Sequence, residues 1–273
     1  QRVIDSLVDG QPVRAIPLAD RGLAYGDGLF ETMKVEQGSI VLLERHMQRL
    51  QLGCRRLRIP LDVQLVRQEI NDFARELQQG VCKLILTRGD GERGYGLAQT
   101  ARPRRILQAA PLPQWPARHA QAGIRLYPCQ TRLAIQPLLA GLKHLNRLEQ
   151  VLARAEWQDP AYAEGLMLDT SGRIIEGVFS NIFFVRNGKL LTPALEGSGV
   201  AGIMRERLLE LAPGHGLAVE VVDLYPDQLG GMDEVFTCNS LYGIWPVLEY
   251  AGYSWPAGPQ TLRLQSIING QDS

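Results

Sequence analysis

The sequence predicts an α+β protein made of two domains. Strong β-hairpin signals occur near residue 10 and near residue 188, and two amphipathic helical stretches follow the first of them. Three prolines lie between residues 111 and 116, and such proline density favours a stiff, extended connector. We therefore expect an N-terminal α/β domain over residues 1–110, a connector over 111–120 and a C-terminal domain over 121–273.

The composition excludes several classes of protein. The chain has 273 residues, 45% of them hydrophobic, and its acidic and basic residues balance, so no basic surface for nucleic acid or an anionic membrane is expected. No apolar run approaches the roughly 20 residues of a membrane span. Four scattered cysteines without a CxxC pair argue against zinc and indicate buried free thiols in a reducing compartment. We expect a cytoplasmic protein that binds no metal, nucleic acid or membrane.

The N-terminal half reads as strands around two helices. Turn signals at Asp9-Gly10 and Gln37-Gly38 indicate two hairpins. Both helices are amphipathic, and they end at Pro60 and Gly80. The expected strands are Val3–Val8, Val13–Ile16, Leu29–Val35, Ile40–Leu43, Val81–Thr87 and Arg105–Ala109, and the expected helices are Glu44–Leu57 and Asp62–Gln79.

A glycine-rich stretch from Gly89 to Gly94 matches the GxGxxG pattern of dinucleotide-binding proteins. That pattern must open a helix inside a βαβ unit. Here Tyr95, Gly96 and then Pro103 follow without any apolar period. We therefore interpret the stretch as a flexible loop, either a functional one or an ordinary exposed glycine loop.

The C-terminal half alternates hairpins with helices. The turn DTSG and the Asn187-Gly188 pair each indicate a hairpin. Apolar residues at Leu145, Leu148, Val151, Leu152 and Ala155 recur with the spacing of one buried helical stripe. The expected strands are Gly165–Leu168, Ile174–Glu176, Asn181–Val185, Lys189–Leu191 and Val235–Cys238, and further helices are expected within Gly197–Ala212 and Thr261–Ile268.

Lys143 lies just ahead of this helical stripe, between Leu142 and Leu145. Apolar neighbours would lower the pKa of its amine by desolvation, which an amine nucleophile requires. The alternative is a solvated surface lysine, because most lysines are exposed. His144 is adjacent to Lys143, but adjacent residues rarely face the same point, so we interpret it as a packing residue.

Six ordered blocks of the chain resemble the fold-type IV pyridoxal-phosphate-dependent enzymes, which are class IV aminotransferase-like proteins. The blocks are DRGLAYGDGLFE from Asp20, LLERHMQRL from Leu42, TRGDGERGYG from Thr87, GLKHLNRLEQVLAR from Gly141, IIEGVFSNIF from Ile174 and GVAGIMR from Gly199. The resemblance implies a two-domain fold with the cofactor between the domains. It also implies that Lys143 carries pyridoxal 5'-phosphate as a Schiff base in the C-terminal domain.

The resemblance assigns roles to further residues of this sequence. Glu176 would hydrogen-bond the pyridine nitrogen, which makes the cofactor ring an electron sink, although a carboxylate at a strand end is usually solvated. Arg49 would bind the cofactor phosphate, because a guanidinium pairs well with a phosphate dianion. The remaining cofactor candidates are the backbone amides of Ile203 and Met204 at a helix start, with Asn239 and Ser240, and the substrate-carboxylate candidates are Arg93 and Tyr95.

The function implied is that of a lyase that converts 4-amino-4-deoxychorismate to 4-aminobenzoate and pyruvate in folate biosynthesis, acting as a homodimer. Phe30 supports this over amino transfer, since it stands where a related D-amino acid aminotransferase carries a carboxylate-binding tyrosine. The alternative with the same fold is a D-amino acid or branched-chain aminotransferase. A non-catalytic binding protein is the third possibility, but the joint presence of Lys143, Arg49 and Glu176 argues against it.

Overall fold

The computed structural model describes residues 5–98 and 100–271. These residues form two compact units: one contains the residues up to Pro113 together with Leu142–Asn146, and the other contains Gln114–Gly141 and the residues from Arg147 onward. The sequence-based division placed Lys143 in the C-terminal domain, whereas its short segment packs with the first unit. Backbone pairing with a strand, which no local pattern predicts, decides where this segment belongs.

The first unit is built on an antiparallel sheet. Within the described residues the sheet has five strands in the order β1-β5-β4-β2-β3, and each neighbouring pair runs antiparallel. The predicted strands Leu29–Val35, Val81–Thr87 and Arg105–Ala109 and both predicted helices are confirmed, with small shifts at their ends. The predicted strand Ile40–Leu43 is wrong beyond Ile40, because residue 43 already begins a helix. The elements are β1 Ser6–Val8, α1 Arg21–Tyr25, β2 Gly28–Glu36, β3 Ser39–Ile40, α2 Leu43–Leu57, α3 Val63–Leu77, β4 Gly80–Thr87 and β5 Arg104–Ala110.

Helices α2 and α3 bury their apolar faces against this sheet. From α2 the buried residues include Met47 and Leu50, and from α3 they include Ile70 and Phe73. Each fully buried side chain of this size contributes about 1.5 to 3 kcal/mol. The Asp62 carboxylate caps α3 by accepting a hydrogen bond from the Leu65 N–H at 3.0 Å. The core therefore holds α2 rigidly beside β2.

The predicted hairpin around Asp9-Gly10 is wrong in its pairing. The turn forms, and Val8 bridges to Gln11, but β1 pairs with β5 instead of with a strand at Val13–Ile16. Pro12 and Pro17 flank that stretch and remove two backbone donors that a ladder would need. Of the predicted strand Val3–Val8, residues 3 and 4 lie outside the described part of the chain.

The second unit is built on a larger, mixed sheet. Within the described residues its strands follow the order β11-β10-β9-β12-β13-β6-β7-β8, with β14 paired to β13. The pairs β10/β11, β6/β13 and β6/β7 are parallel and the others are antiparallel. The elements are α4 Arg118–Gln121, β6 Ile124–Pro128, α5 Leu148–Arg154, β7 Tyr162–Leu168, β8 Ile174–Gly177, β9 Asn181–Arg186, β10 Lys189–Pro193, α6 Ile203–Gly214, β11 Ala218–Val222, a 3-10 helix Pro226–Gly231, β12 Glu234–Asn239, β13 Gly243–Tyr250, β14 Tyr253–Ser254 and α7 Pro259–Gln271.

Both predicted hairpins of the second unit are confirmed. Strand β7 pairs with β8, and β9 pairs with β10, in each case antiparallel. The turn between β9 and β10 places Asn187 at φ 50° and Gly188 at φ 73°. These left-handed values suit asparagine and glycine and match a type I′ turn. The second hairpin therefore follows directly from its local sequence.

The helix after Lys143 differs from the prediction. It begins at Leu148, because residues 143–145 are extended and paired with β2. The apolar stripe is also not buried within the chain: Leu148 is 75% exposed, and Val151 and Leu152 are each 60% exposed. The three-and-four spacing thus correctly indicates a helix with an apolar face, but that face is uncovered in the single chain.

The described residues contain no helix with the length and apolar character needed to cross a membrane. Among the same residues, no group of three or more His, Cys, Asp or Glu side chains is arranged to hold a metal ion. The four cysteines are free and buried, as predicted. Burial raises the pKa of the Cys54 and Cys82 thiols to about 12, so both remain protonated.

Candidate active site

The backbone around Lys143 continues the first unit's sheet at the start of β2. The Phe30 N–H donates to the Lys143 carbonyl at 2.9 Å, and the Leu145 N–H donates to the Gly28 carbonyl at 3.1 Å. These two bonds bracket a bridge between Leu29 and His144. The lysine backbone is therefore held by a rigid strand rather than by the helix that follows it.

The Lys143 side chain lies against an aromatic face. Its Nζ is 4.3 Å from the centroid of the Phe30 ring, and the residue is half-buried. The neighbouring His144 uses its Nδ1 to accept from the Asn146 N–H at 3.2 Å, so it serves local packing as expected. Lys143 thus presents an amine at a defined place, partly shielded from water.

A buried carboxylate on β2 fixes the predicted phosphate ligand Arg49. Glu31 is 2% exposed. Its Oε1 accepts from Arg49 Nε at 2.8 Å, and its Oε2 accepts from Arg49 Nη2 at 2.6 Å. The same Oε2 lies 2.6 Å from His46 Nδ1. Two parallel bonds fix the plane of the guanidinium as well as its position.

The charge states in this cluster follow from burial and pairing. Burial alone would raise the pKa of Glu31, but Arg49 and His46 outweigh it and lower the pKa to about 2. Burial lowers the pKa of His46. The charges of Arg49 and Lys143 lower this pKa further, whereas Glu31 raises it. His46 is therefore neutral at pH 7 and donates its Nδ1–H to the ionised Glu31.

Sequence reasoning missed Glu31 and His46. The signal for Glu31 was present in the alternation of β2, where Leu29, Met33 and Val35 share the buried face with position 31. A carboxylate on the apolar face of a strand requires a partner. His46 carries a weaker signal, because it stands beside Met47 on the buried side of α2.

The loop after β4 carries the two substrate candidates of the first unit. Arg93 and Tyr95 are both exposed, and Tyr95 is 86% exposed. The loop is anchored by Arg21, whose Nη1 donates to the Gly94 carbonyl at 3.0 Å. No helix follows the glycine pattern in the described residues up to Arg104, which confirms that it is a loop rather than a dinucleotide fingerprint. Its tip presents a cation and an aromatic ring to solvent.

Glu176 lies at the end of β8 in the second unit. It is 4% exposed, and its Oε2 accepts from the Val200 N–H at 2.8 Å. Arg147 belongs to the same unit; burial lowers the pKa of Arg147, and the charge of Glu176 acts in the opposite direction. The backbone amide and the Arg147 charge favour the ionised form of the Glu176 carboxylate. A buried negative charge of this kind stabilises the protonated form of a base that binds next to it.

Helix α6 begins at Ile203, and its N-cap residue is Gly202, which provides no side-chain cap. Gly202 passes so close to Asn181 that a Cβ built on it would lie 2.0 Å from Asn181 Oδ1. Ile203 and Met204 form the first turn, and the side chains of both are buried. An uncapped start of a twelve-residue helix offers N–H donors and a positive dipole end to an anion.

Asn239 and Ser240 lie at the turn between β12 and β13. The Asn239 side chain is used within the fold: Nδ2 donates to the Phe179 carbonyl at 3.2 Å, and Oδ1 accepts from the Leu241 and Tyr242 N–H groups at 3.0 and 2.9 Å. Ser240 is half-buried beside it. Asn239 therefore shapes the turn that presents the Ser240 hydroxyl.

These residues fit the cofactor that the sequence resemblance implies. Pyridoxal 5'-phosphate requires an amine for its aldehyde, an anion for its ring nitrogen and donors for its phosphate. The first unit supplies the Lys143 amine and the oriented Arg49 guanidinium. The second supplies the buried Glu176 carboxylate and the uncapped amides at the start of α6. Each unit by itself thus contains groups of the right chemical type for part of the cofactor.

The chain belongs to the amino-transferase class IV family, because the profile of that family matches residues 28–250. Its α+β architecture with two sheets agrees with this assignment and confirms the predicted fold-type IV class. It is 36% identical to an aminodeoxychorismate lyase of Vibrio harveyi over 96% of this chain and 98% of that protein.

Solved structures give the same picture. The 4-amino-4-deoxychorismate lyase from Pseudomonas aeruginosa is 55% identical, with a TM-score of 0.96 over 97% of this chain and 98% of that one. The branched-chain amino acid aminotransferase of Escherichia coli superimposes with a TM-score of 0.85 at 25% identity, over 100% of this chain and 95% of that one. The fold is therefore common to lyases and aminotransferases, while sequence similarity is higher to the lyase.

Proposed function

We propose that this chain is a pyridoxal-5'-phosphate-dependent lyase that converts 4-amino-4-deoxychorismate to 4-aminobenzoate and pyruvate, a step of folate biosynthesis. The observation that carries the proposal is the 55% sequence identity to the 4-amino-4-deoxychorismate lyase of Pseudomonas aeruginosa over 97% of this chain. The branched-chain amino acid aminotransferase of Escherichia coli has the same fold, but its sequence is only 25% identical. Phe30 agrees with the lyase reading, since it offers Lys143 an aromatic face and no hydroxyl.

The proposal assigns each part of the cofactor to residues of this chain. Lys143 binds the aldehyde, and Glu176 holds the proton on the ring nitrogen. Arg49, the amides of Ile203 and Met204, and the Ser240 hydroxyl bind the phosphate, while Asn239 shapes the turn before Ser240. When bound, the cofactor supplies an electron sink for charge that develops at the amine-bearing carbon of the substrate.

The substrate amine would take the place of Lys143 on the cofactor aldehyde, and the freed Lys143 would then act as the base and the acid of the reaction. Its amine removes the proton from the ring carbon that bears the substrate amine. The bond from the neighbouring ring carbon to the enolpyruvyl oxygen breaks, the ring becomes aromatic, and the proton returns to the departing group, which leaves as pyruvate. The substrate carries two carboxylates, and Arg93 with Tyr95 on the exposed loop is the first candidate to bind one of them.

The deciding experiment separates elimination from amino transfer. The purified protein with its cofactor is given aminodeoxychorismate without any keto acid, and 4-aminobenzoate and pyruvate are followed. We expect many turnovers with the two products in equal amounts. A requirement for an added keto acid, or arrest after one equivalent of substrate, would contradict the lyase proposal.

The alternative is a D-amino acid or branched-chain aminotransferase. It has its own support, because the chain is 32% identical to a putative branched-chain-amino-acid aminotransferase of Methanocaldococcus jannaschii over 87% of this chain and 83% of that one. The alternative predicts 2-oxoglutarate-dependent transfer from an amino acid at a rate that matches or exceeds lyase turnover. Assaying both reactions on one preparation compares the two directly.

We also propose that the active form is a homodimer. The apolar face of α5, formed by Leu148, Val151 and Leu152, is 60 to 75% exposed in the single chain, and a second copy would cover it. Replacing Leu148 and Leu152 by glutamate should shift the sedimentation of the protein to that of a monomer. Leu262→Glu on α7, at a residue 41% exposed, is the matched control. A wild-type protein that is monomeric at assay concentration would contradict the proposal.

A further inference from the structure

A buried carboxylate outside the residues discussed so far holds the turn that follows Glu176. Glu164 lies on β7 and has no exposed surface. Its two oxygens accept four hydrogen bonds, three of them from backbone N–H groups. The donors to Oε1 are the N–H groups of Gly165 at 2.7 Å and Val178 at 3.0 Å, and the donors to Oε2 are the Phe179 N–H at 3.2 Å and the Ser180 hydroxyl at 2.8 Å.

The turn is packed closely around this carboxylate. The Gly177 N–H donates to the Ser180 carbonyl at 2.8 Å, which closes the turn. A Cβ built on Gly177 would lie 2.2 Å from Ser180 Oγ and 2.8 Å from the Glu164 carboxyl. Position 177 therefore requires glycine because the carboxylate approaches so closely. These contacts hold residues 177–180 in one conformation.

The same group connects to the turn that carries Ser240. The Phe179 carbonyl accepts from Asn239 Nδ2 at 3.2 Å. The Asn239 Oδ1 accepts from the Tyr242 N–H at 2.9 Å, and the Tyr242 hydroxyl lies 3.0 Å from Thr237 Oγ1. A hydrogen bond thus connects two turns of the second unit, the turn after Glu176 and the turn around Ser240.

A carboxyl group satisfies this arrangement and an amide does not. The ionised form offers about four lone-pair sites for the four donors, and the protonated form still accepts the three N–H bonds while it donates to the Ser180 hydroxyl. A glutamine would place its NH₂ group against the Phe179 N–H or the Val178 N–H and leave that donor unpaired. Complete burial raises the pKa of Glu164 to about 7 even though the four donors lower it. The fold thus places a carboxylate where burial opposes its charge and surrounds it with donors.

We propose that Glu164 is a positioning residue for the reaction: it fixes the 177–180 turn and thereby keeps the Glu176 carboxylate in place. Glu176 immediately precedes the turn. Its Oε2 accepts a hydrogen bond from the Val200 N–H, which belongs to a separate segment of the chain. The inference rests on the proposed function, since Glu164 acts on the reaction only through Glu176. Glu164 itself touches neither substrate nor cofactor in this scheme.

The first test uses the protein without cofactor. Glu164→Gln is compared with Glu234→Gln, which alters another buried carboxylate of the same unit that accepts from the Gln260 and Thr261 N–H groups at 3.2 and 3.0 Å. Amide hydrogen exchange is measured in peptides that cover residues 177–180. We expect exchange at least about tenfold faster in Glu164→Gln and unchanged in Glu234→Gln. Unchanged exchange in Glu164→Gln would overturn the proposal.

The second test uses a double-mutant cycle with Glu176→Gln in the loaded enzyme. Glu164→Gln should lower kcat about tenfold with little change in KM, and it should add no further loss in the Glu176→Gln background. Multiplicative losses would mean that Glu164 does not act through Glu176, which overturns the proposal. If Glu164→Gln does not fold, Ser180→Ala removes a single donor and should shift both readouts in the same direction. Wild-type protein inactive on aminodeoxychorismate would refute the proposed function, while hydrogen exchange still decides whether Glu164 holds the turn.

Discussion

The two units hold their functional groups by different means. In the first unit, side chains orient side chains: Glu31 fixes Arg49 through two hydrogen bonds and contacts His46, and Asp27 pairs with both Arg21 and Arg88. In the second unit, backbone N–H groups orient carboxylates, as at Glu164 and Glu176. A charge pair therefore orients Arg49 in one unit, and backbone donors orient Glu164 and Glu176 in the other.

The difference has consequences for stability and for mutation. An ion pair depends on the protonation of both partners, so the first unit's cluster responds to pH. A backbone donor does not titrate and is not removed by changing a side chain. In the second unit the carboxylate is therefore the sensitive partner, whereas in the first unit either partner of a pair is.

The largest effect is expected for Lys143 of the first unit, which we propose binds the cofactor. Lys143→Ala should remain folded and lose turnover by at least about 10³-fold, because one amine serves as nucleophile and base. Lys83→Ala is a matched control, since Lys83 Nζ lies 5.5 Å from the same Phe30 ring. Borohydride reduction of the wild-type holoenzyme followed by peptide mapping should label Lys143. A label on Lys34, Lys83 or Lys189, the other lysines of the sequence, would show that the site is misplaced.

The second unit is tested at Glu176. Glu176→Gln should lower kcat about 100-fold while cofactor affinity changes little, because an amide cannot hold the ring-nitrogen proton as a carboxylate does. Steady-state kinetics and a cofactor titration give the two values, and Glu234→Gln serves as the buried-carboxylate control. Equal turnover in Glu176→Gln and wild type would remove Glu176 from the mechanism.

The ion-pair character of the first unit predicts a specific acid sensitivity. The folded-state pKa of Glu31 is about 2 against an ordinary value of 4.5, so its ionised form stabilises the fold above pH 4.5. That contribution, about 3 kcal/mol, is lost as the pH falls from 4.5 towards 2. Denaturant unfolding of Glu31→Gln should show a flatter dependence across this window.

Glu44→Gln is the control for the Glu31 measurement. Glu44 pairs with Arg67 on the surface, and its side chain is 68% exposed. Its substitution should leave the pH dependence of stability as in wild type, because exposed pairs contribute little. Identical acid profiles for wild type and Glu31→Gln would mean that the cluster does not stabilise the fold.

A change in KM is expected at the exposed loop that carries Arg93. Arg93→Ala should raise KM by about 10- to 150-fold, the equivalent of about 1.5 to 3 kcal/mol for a charge-assisted contact, with kcat largely kept. Arg102→Ala is the matched control, because Arg102 is another exposed arginine near this loop. A KM unchanged by Arg93→Ala would assign the substrate carboxylate to another residue.

Local sequence patterns determined much of this protein. Glycine and asparagine at positive φ specify the Asn187-Gly188 turn, and the apolar periods of α2 and α3 specify two helices within one or two residues of their ends. These patterns involve only residues that are close in sequence, so they can be recognised without the rest of the chain. The lysine, glutamate and arginine of the candidate site were proposed from their motifs, and their roles stay predictions.

Tertiary structure alone decided how those residues are supported. Glu31 and Arg49 are 18 residues apart, and their pairing depends on how α2 packs on β2. Glu164 is 14 residues from Val178, and their pairing depends on how β7 pairs with β8. The strand-like pairing of residues 143–145 with β2 shortened α5 and placed Lys143 in the first unit. Periodicity shows that α5 has an apolar face but not what covers it, because covering is a contact between distant surfaces and leaves no local trace in the chain.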